Sequence, residues 1–345
     1  MNSIKKQITH MIVLNILYII AGIAIVLVGA DKLTEGAAAV ATKFKVPQIV
    51  IGLTIVAIGT SMPELCVSLV SALKGTPDLA VGNVVGSNVF NSFLIVGITA
   101  LVAPMTILHS TVRKDIPFAL VASVLLLLLC LDGSLSRIDS IILLLLFAVF
   151  MRITLAGAKA KKENENEGAA RGEQSLLEPS RVASEEGNMP NEAGREMAMW
   201  KAALFILAGL VMLIFGSNLF VDNATEVARI IGVSEAVTGL TIVAMGTSMP
   251  ELATSVVAAK KGNSGIAIGN VLGSNVFNIL LILGTTGVIC PMQLNGITNV
   301  DFSAMVISMF MLWLFSFTKY KIERWEGAVL TLAFIGYVSW LIYNV

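Results

Sequence analysis

Ile51 to Leu65 reads IGLTIVAIGTSMPEL and Thr238 to Leu252 reads TGLTIVAMGTSMPEL; the two stretches differ only at Ile51/Thr238 and Ile58/Met245. The offset between them is 187 positions, since 251 − 64 = 187. At the same offset Ala80–Asn91 (AVGNVVGSNVFN) falls on Ala267–Asn278 (AIGNVLGSNVFN), and the register holds without a gap from about Gly29 on Gly216 to Gly97 on Gly284. Two apolar helices can resemble each other by chance in their Leu and Val, but not in Thr, Ser, Pro, Glu and Asn at once. The chain is a duplication.

The repeats sit in a sequence of 345 residues that is 56% hydrophobic and only 13% charged. Ten mainly apolar runs, near 11–30, 46–73, 79–103, 115–131, 138–156, 198–220, 233–259, 265–290, 300–317 and 325–343, are long enough to cross a hydrocarbon core about 30 Å thick. This predicts an all-α polytopic membrane protein. Five spans fall in each half, an odd number, so the second half enters the membrane from the opposite side and the repeats are inverted. The expected organisation is a first five-helix repeat over 1–156, a linker over 157–197 and a second, inverted repeat over 198–345. The linker (AKKENENEGAARGEQ and onward) is polar and rich in Glu, Asn and Gly, a composition that buries too little apolar area to fold alone.

Net charge is zero, which leaves no footprint for nucleic acid. The distribution of charge sets the orientation. With the N-terminus outside, the inner segments hold 18 of the 23 Lys and Arg, the central linker among them, as cytoplasmic segments of membrane proteins do. In a prokaryote that membrane is the plasma, or inner, membrane. Cys66, Cys130 and Cys290 lie singly in apolar runs, and His10 and His109 lie near span ends, so neither a disulfide framework nor a soft-metal site is expected.

The chemistry concentrates at Glu64 and Glu251. A carboxylate in mid-membrane costs a few kcal/mol or more unless a partner or a bound cation compensates it. No Lys, Arg or His lies at matching depth in the second, third, seventh or eighth span, so the compensating charge comes from outside the chain. Two negative charges suit one divalent or several monovalent cations; protonation is the competing way to neutralise them. Thr60 and Glu64 are four residues apart, as are Thr247 and Glu251, with Ser61 and Ser248 beside them. Pro63 and Pro250 cannot donate an N–H to the carbonyls of Gly59 and Gly246, which become available as ligands where the helix opens.

Ser87 and Asn91 form a further i, i+4 pair, mirrored by Ser274 and Asn278. Gly82, Gly86, Gly269 and Gly273 beside them allow close helix approach. Asn88 and Asn275 remain open between ion contact and bonding to the broken backbone of the neighbouring span. Together these groups form an all-oxygen site for hard cations, of which Ca2+ accepts about six to eight oxygens in flexible geometry. No cofactor is implied, and nothing in the pattern points to an enzyme.

At these residues the sequence resembles the Ca2+/cation antiporter superfamily, specifically its sodium/calcium exchanger branch of prokaryotic type. Gly59-Thr60-Ser61-Met62-Pro63-Glu64 and Gly246–Glu251 resemble the two alpha-repeat signatures, and Gly86–Asn91 with Gly273–Asn278 resemble the companion signatures. The resemblance implies that Glu64 and Glu251 ligate Ca2+ and Na+, with Thr60, Thr247, Ser61, Ser248, Ser87, Ser274, Asn91 and Asn278 completing the sites. It also implies alternating access by the first and sixth spans sliding over the other eight. Gly-Thr-Ser in place of Gly-Asn-Ala favours Na+ over H+ as counter-ion. Asn278 stands where members often carry Asp, which makes obligatory K+ co-transport less expected. A proton-coupled Ca2+ antiporter, a passive cation channel and a pair of glutamates that only hold helices together stay open as alternatives.

Overall fold

The computed structural model of the chain describes residues 2–170, 197–231, 244–294 and 296–344. Its helices, in chain order, are α1 (Asn2–Phe44), α2 (Gln48–Thr60), α3 (Met62–Leu73), α4 (Pro77–Val102), α5 (Ile116–Leu129), α6 (Arg137–Ala170), α7 (Met199–Ile230), α8 (Ala244–Thr247), α9 (Met249–Lys260), α10 (Ser264–Ile289), α11 (Asn299–Ser316) and α12 (Arg324–Asn344). Seven of the described helices are long and apolar enough to cross a bilayer, and α2 with α3, bent by 46° at a break, makes an eighth. The ten expected spans depart from this count at two places. The span at 115–131 is a helix of only 14 residues behind a π-turn at Thr111–Asp115, and the one at 233–259 falls partly on residues outside those described.

Two helices overrun their expected ends. The first span was expected over 11–30, but α1 has 43 residues, because Asp31, Lys32 and Glu35 do not stop it. Lys32 Nζ pairs with Glu35 at 3.0 Å along the helix, and Lys261 Nζ reaches Asp31 at 2.6 Å from the end of α9. The helix at the fifth expected span, α6, runs on to Ala170, into the expected linker; the stretch 171–196 lies outside the described residues.

The duplication is visible as paired contacts. A Cβ on Gly22 would lie 2.8 Å from Gly216 O, one on Gly29 2.9 Å from Gly209 O, and one on Gly36 2.7 Å from Ala202 O. Residue numbers rise along α1 as they fall along α7, so these repeat-equivalent helices run in opposite directions. Small residues at seven-residue spacing let the two backbones touch. Two minimal sheets repeat the symmetry. In one, β1 (Met105–Thr106) pairs antiparallel with β4 (Lys321–Ile322), placing Met105 opposite Ile322; in the other, β2 (Ser134–Leu135) pairs with β3 (Met292–Gln293), placing Leu135 opposite Met292. Met105 and Met292 are 187 apart, as are Leu135 and Ile322, so each sheet ties a connection of one repeat to a connection of the other.

The centre of the molecule is α4 and α10. Their most apolar windows are 78% and 94% buried, against 11% for α1 and 22% for α7 on the outside. Gly269 and Gly273 bring α10 against α2 as expected: a Cβ on Gly269 would stand 2.6 Å from Ile49 O.

Candidate functional site

Both breaks expected from the Gly-Thr-Ser-Met-Pro-Glu stretches are present. α2 ends at Thr60 and α3 begins at Met62, with Ser61 between them at φ −84° and ψ 5°. α8 ends at Thr247 and α9 begins at Met249, with Ser248 at φ −91° and ψ 8°. Pro63 and Pro250 occupy the first turn of the new helices, where a missing N–H costs nothing. Gly59 and Gly246 lie in the last turn before each break, with the side chains of Leu210 and Val221 on α7 packed against them.

Glu64 and Glu251 are each 1% exposed, and each is reached by the opposite repeat. Ser61 Oγ donates to Glu251 Oε1 at 3.2 Å, and Ser248 Oγ donates to Glu64 Oε1 at 3.2 Å. Ser274 Oγ adds a 3.4 Å bond to Glu251 Oε1, and the Ser248 and Ser87 hydroxyls stand 3.2 Å apart. The hydroxyl of Thr60 also reaches the other repeat, at Asn270 Oδ1, 3.1 Å away. This corrects one expectation. The i, i+4 spacing of Thr60 and Glu64 places them on a common face only in an unbroken helix, and across the turn at Ser61 the Thr60 hydroxyl meets Asn270 of the other repeat instead.

The second oxygens of both glutamates have no hydrogen-bond partner, nor do Asn91 Oδ1 and Asn278 Oδ1, although all four atoms are buried. Unpaired buried acceptors are costly and rare in folded proteins. They form two pairs related by the 187-residue offset, Glu64 with Glu251 and Asn91 with Asn278. Among the described residues no ion pair reaches Glu64 or Glu251, and no group of three His, Cys, Asp or Glu side chains could hold a metal. No basic side chain among the described residues therefore offsets these two acidic groups.

Among the described residues Asn88 and Asn275 do not bond the broken backbone. They cross between the repeats: Asn91 Nδ2 donates to Asn275 Oδ1 at 3.0 Å and Asn278 Nδ2 to Asn88 Oδ1 at 3.0 Å. The backbone just past each break, at the glutamates themselves, is instead met by residues that sequence reasoning passed over. Asn83 Nδ2 donates to Glu64 O at 3.3 Å and to Ser68 Oγ at 3.0 Å; Asn270 Nδ2 donates to Glu251 O at 3.2 Å and to Ser255 Oγ at 3.1 Å. Thr60 Oγ1 donates to Asn270 Oδ1 at 3.1 Å. The signal was available, since Asn83, Ser87 and Asn91 recur every fourth residue on one face of α4.

With this geometry in place, comparison with known proteins is informative. Residues 14–156 and 201–343 each match the family described as Sodium/calcium exchanger protein. The sequence is 34% identical over 325 residues to the inner membrane protein YrbG of Escherichia coli (strain K12), covering 94% of this chain and 95% of that one. It is 32% identical over 364 residues to the sodium/calcium exchanger MaX1 of Methanosarcina acetivorans, covering 96% and 100%. The solved structure of the sodium-calcium exchanger NCX_Mj superposes with a TM-score of 0.78 at 28% identity, covering 96% of this chain and 99% of that one. Two family matches at the two repeats, and relatives aligned over nearly their whole length, settle the classification: the chain is a multi-pass membrane protein that belongs to the sodium/calcium exchanger family.

Proposed function

We propose that the chain is a secondary antiporter that exchanges Na+ for Ca2+ by alternating access, with Glu64 and Glu251 as the central ligands. The carrying observation is the set of four buried, unpaired oxygens: Glu64 Oε2, Glu251 Oε2, Asn91 Oδ1 and Asn278 Oδ1. One Ca2+, or two or more Na+, cancels the paired charge in the same space, and that equivalence is the basis of exchange. The hydroxyls of Thr60, Thr247, Ser61, Ser248, Ser87 and Ser274 and the carbonyls of Gly59 and Gly246 complete an oxygen set suited to Ca2+, which takes six to eight ligands. With either cargo bound, the site is close to neutral and reorients; with two bare charges it is held back by the cost of moving them through a low dielectric.

The same proposal takes the ten-span inverted plan, the N-terminus outside and the linker in the cytoplasm. The distribution of Lys and Arg supports the orientation, and the opposed run of α1 and α7 supports the inversion. That outer pair slides across the core built on α4 and α10, as helices joined by close backbone contact move as one body. The names of the matched relatives, a sodium/calcium exchanger and a sodium-calcium exchanger, support the choice of ions.

The test is Na+-driven 45Ca2+ uptake into proteoliposomes. Glu64→Gln keeps the size of the side chain and removes one of the two charges, and uptake is expected to fall to background. Uptake at the wild-type rate by that variant contradicts the assignment.

A further inference from the structure

We propose that Asn88 is a positioning residue for ion binding: acting through Asn278, it fixes which end of that amide faces the ion site. The inference rests on the exchanger reading above and deepens it. Asn88 is 1% exposed and contacts the other repeat from the middle of α4.

The hydrogen-bond chain begins at a group whose polarity is fixed. Asn275 O is a backbone carbonyl and only accepts, and Asn88 Nδ2 lies 3.3 Å from it. The same Nδ2 faces Met305 Sδ at 3.7 Å, a second group without a proton to give. The nitrogen end of the Asn88 amide is thereby held toward these acceptors, so its oxygen is turned toward Asn278. There it accepts from Asn278 Nδ2 at 3.0 Å. Once the nitrogen of Asn278 is held, its oxygen is left over, buried and unpaired. It sits one turn beyond Ser274, whose hydroxyl reaches Glu251.

The direction of this amide matters because its two ends are opposite in sign toward a cation. Oxygen outward adds a ligand, whereas nitrogen outward removes that ligand and presents two N–H dipoles of the wrong sense. A backbone carbonyl in the second repeat therefore sets, through two side chains, the sign of one ligand in the site.

The equivalent chain on the other side is built less firmly. Asn91 Nδ2 donates to Asn275 Oδ1 at 3.0 Å, and Asn275 Nδ2 donates to Ser92 Oγ at 2.8 Å. This chain ends on a hydroxyl, which can donate as well as accept. Both amides can be turned over with every one of these bonds kept. The counterpart of Ser92 in the second repeat is Ile279, so the two halves of an otherwise symmetric site differ here. The Asn278 oxygen is locked outward, and the Asn91 oxygen is free to exchange with its own nitrogen.

The experiment measures the half-saturating Ca2+ concentration and the maximal rate of Na+-driven uptake in proteoliposomes for Asn88→Leu, Asn88→Asp and Asn275→Leu, with thermal stability of each purified protein. Leu has neither group of the amide. A neutral Asp keeps both, its hydroxyl toward Asn275 O and its carbonyl toward Asn278 Nδ2. Asn88→Leu is expected to raise the half-saturating Ca2+ concentration about tenfold or more, as loss of an outer-shell partner does at metal sites, with the maximal rate changed far less. Asn88→Asp is expected to restore most of that affinity, and Asn275→Leu to cost less than Asn88→Leu. If Asn88→Leu does not reconstitute, Asn88→Ala takes its place in the same comparison. Unchanged affinity in the Leu or Ala variant, or an Asp variant as impaired as they are, overturns the positioning role. In either case loss of uptake in Glu64→Gln leaves the exchanger reading standing. Absence of Na+-driven uptake in the wild type removes both.

Discussion

Each central carboxylate is held by a serine of the opposite repeat, so neither half of the site is complete without the other. Ser61→Ala and Ser248→Ala remove equivalent 3.2 Å bonds to Glu251 and Glu64. A hydrogen bond to a charged group contributes about 1.5–3 kcal/mol, so each variant is expected to weaken Ca2+ affinity by roughly ten- to a hundredfold. Both losses are expected, with that of Ser61→Ala the milder, because Ser274 still donates to Glu251 Oε1 at 3.4 Å. Ca2+ titration of the uptake rate checks this, and a loss confined to one of the two serines contradicts it. At this scale the glutamates were legible in the sequence because nothing basic could offset them. For Asn83 and Asn270 only the face was legible, from their four-residue spacing to Ser87 and Ser274, because a polar residue on that face looks the same whether it meets ion or backbone. Only the fold reveals that Glu64 O and Glu251 O are their partners.

Among the elements, α1 and α7 depend on their glycine stripe. A side chain on Gly29 meets Gly209 O and the Cβ of Met212 at 2.9 Å, so Gly29→Leu forces the helices apart. Overpacking of this kind costs about 1–3 kcal/mol, and the thermal midpoint of the purified protein is expected to fall accordingly. Gly336 on α12 is the control, since a Cβ there meets nothing within 4 Å. Gly336→Leu is expected to leave the midpoint unchanged, and equal midpoints for the two variants contradict the close crossing. The breaks at Ser61 and Ser248 were readable from Pro63 and Pro250, because a missing N–H is a property of the residue itself. The length of α1 was not, since Asp31, Lys32 and Glu35 end an apolar run without ending a helix. The two-residue strands left no trace, because a ladder made of backbone groups asks nothing of the side chains. Ile107 N to Tyr320 O and Leu294 N to Gly133 O, both 2.8 Å, are related by the same offset although the four residues share no sequence pattern.

Across the whole molecule, the duplication extends further in space than in sequence. Clear identity spans Gly29–Gly97, yet Gly97 packs on Gly327 O and Thr331 as Gly284 packs on Ser140 O and Leu144, which carries the 187-residue offset through the outer helices. Contact with lipid constrains only hydrophobicity, so the repeats diverged outside and stayed alike around Glu64 and Glu251. The central claim, that mobile cations cancel the paired carboxylates of Glu64 and Glu251, is tested most directly by the counter-ion dependence of 45Ca2+ uptake in sealed proteoliposomes. Uptake driven by an outward Na+ gradient, with no response to a K+ or H+ gradient alone, is the predicted result. Uptake driven by a pH gradient in the absence of Na+, or Ca2+ entry that needs no counter-ion, would contradict it.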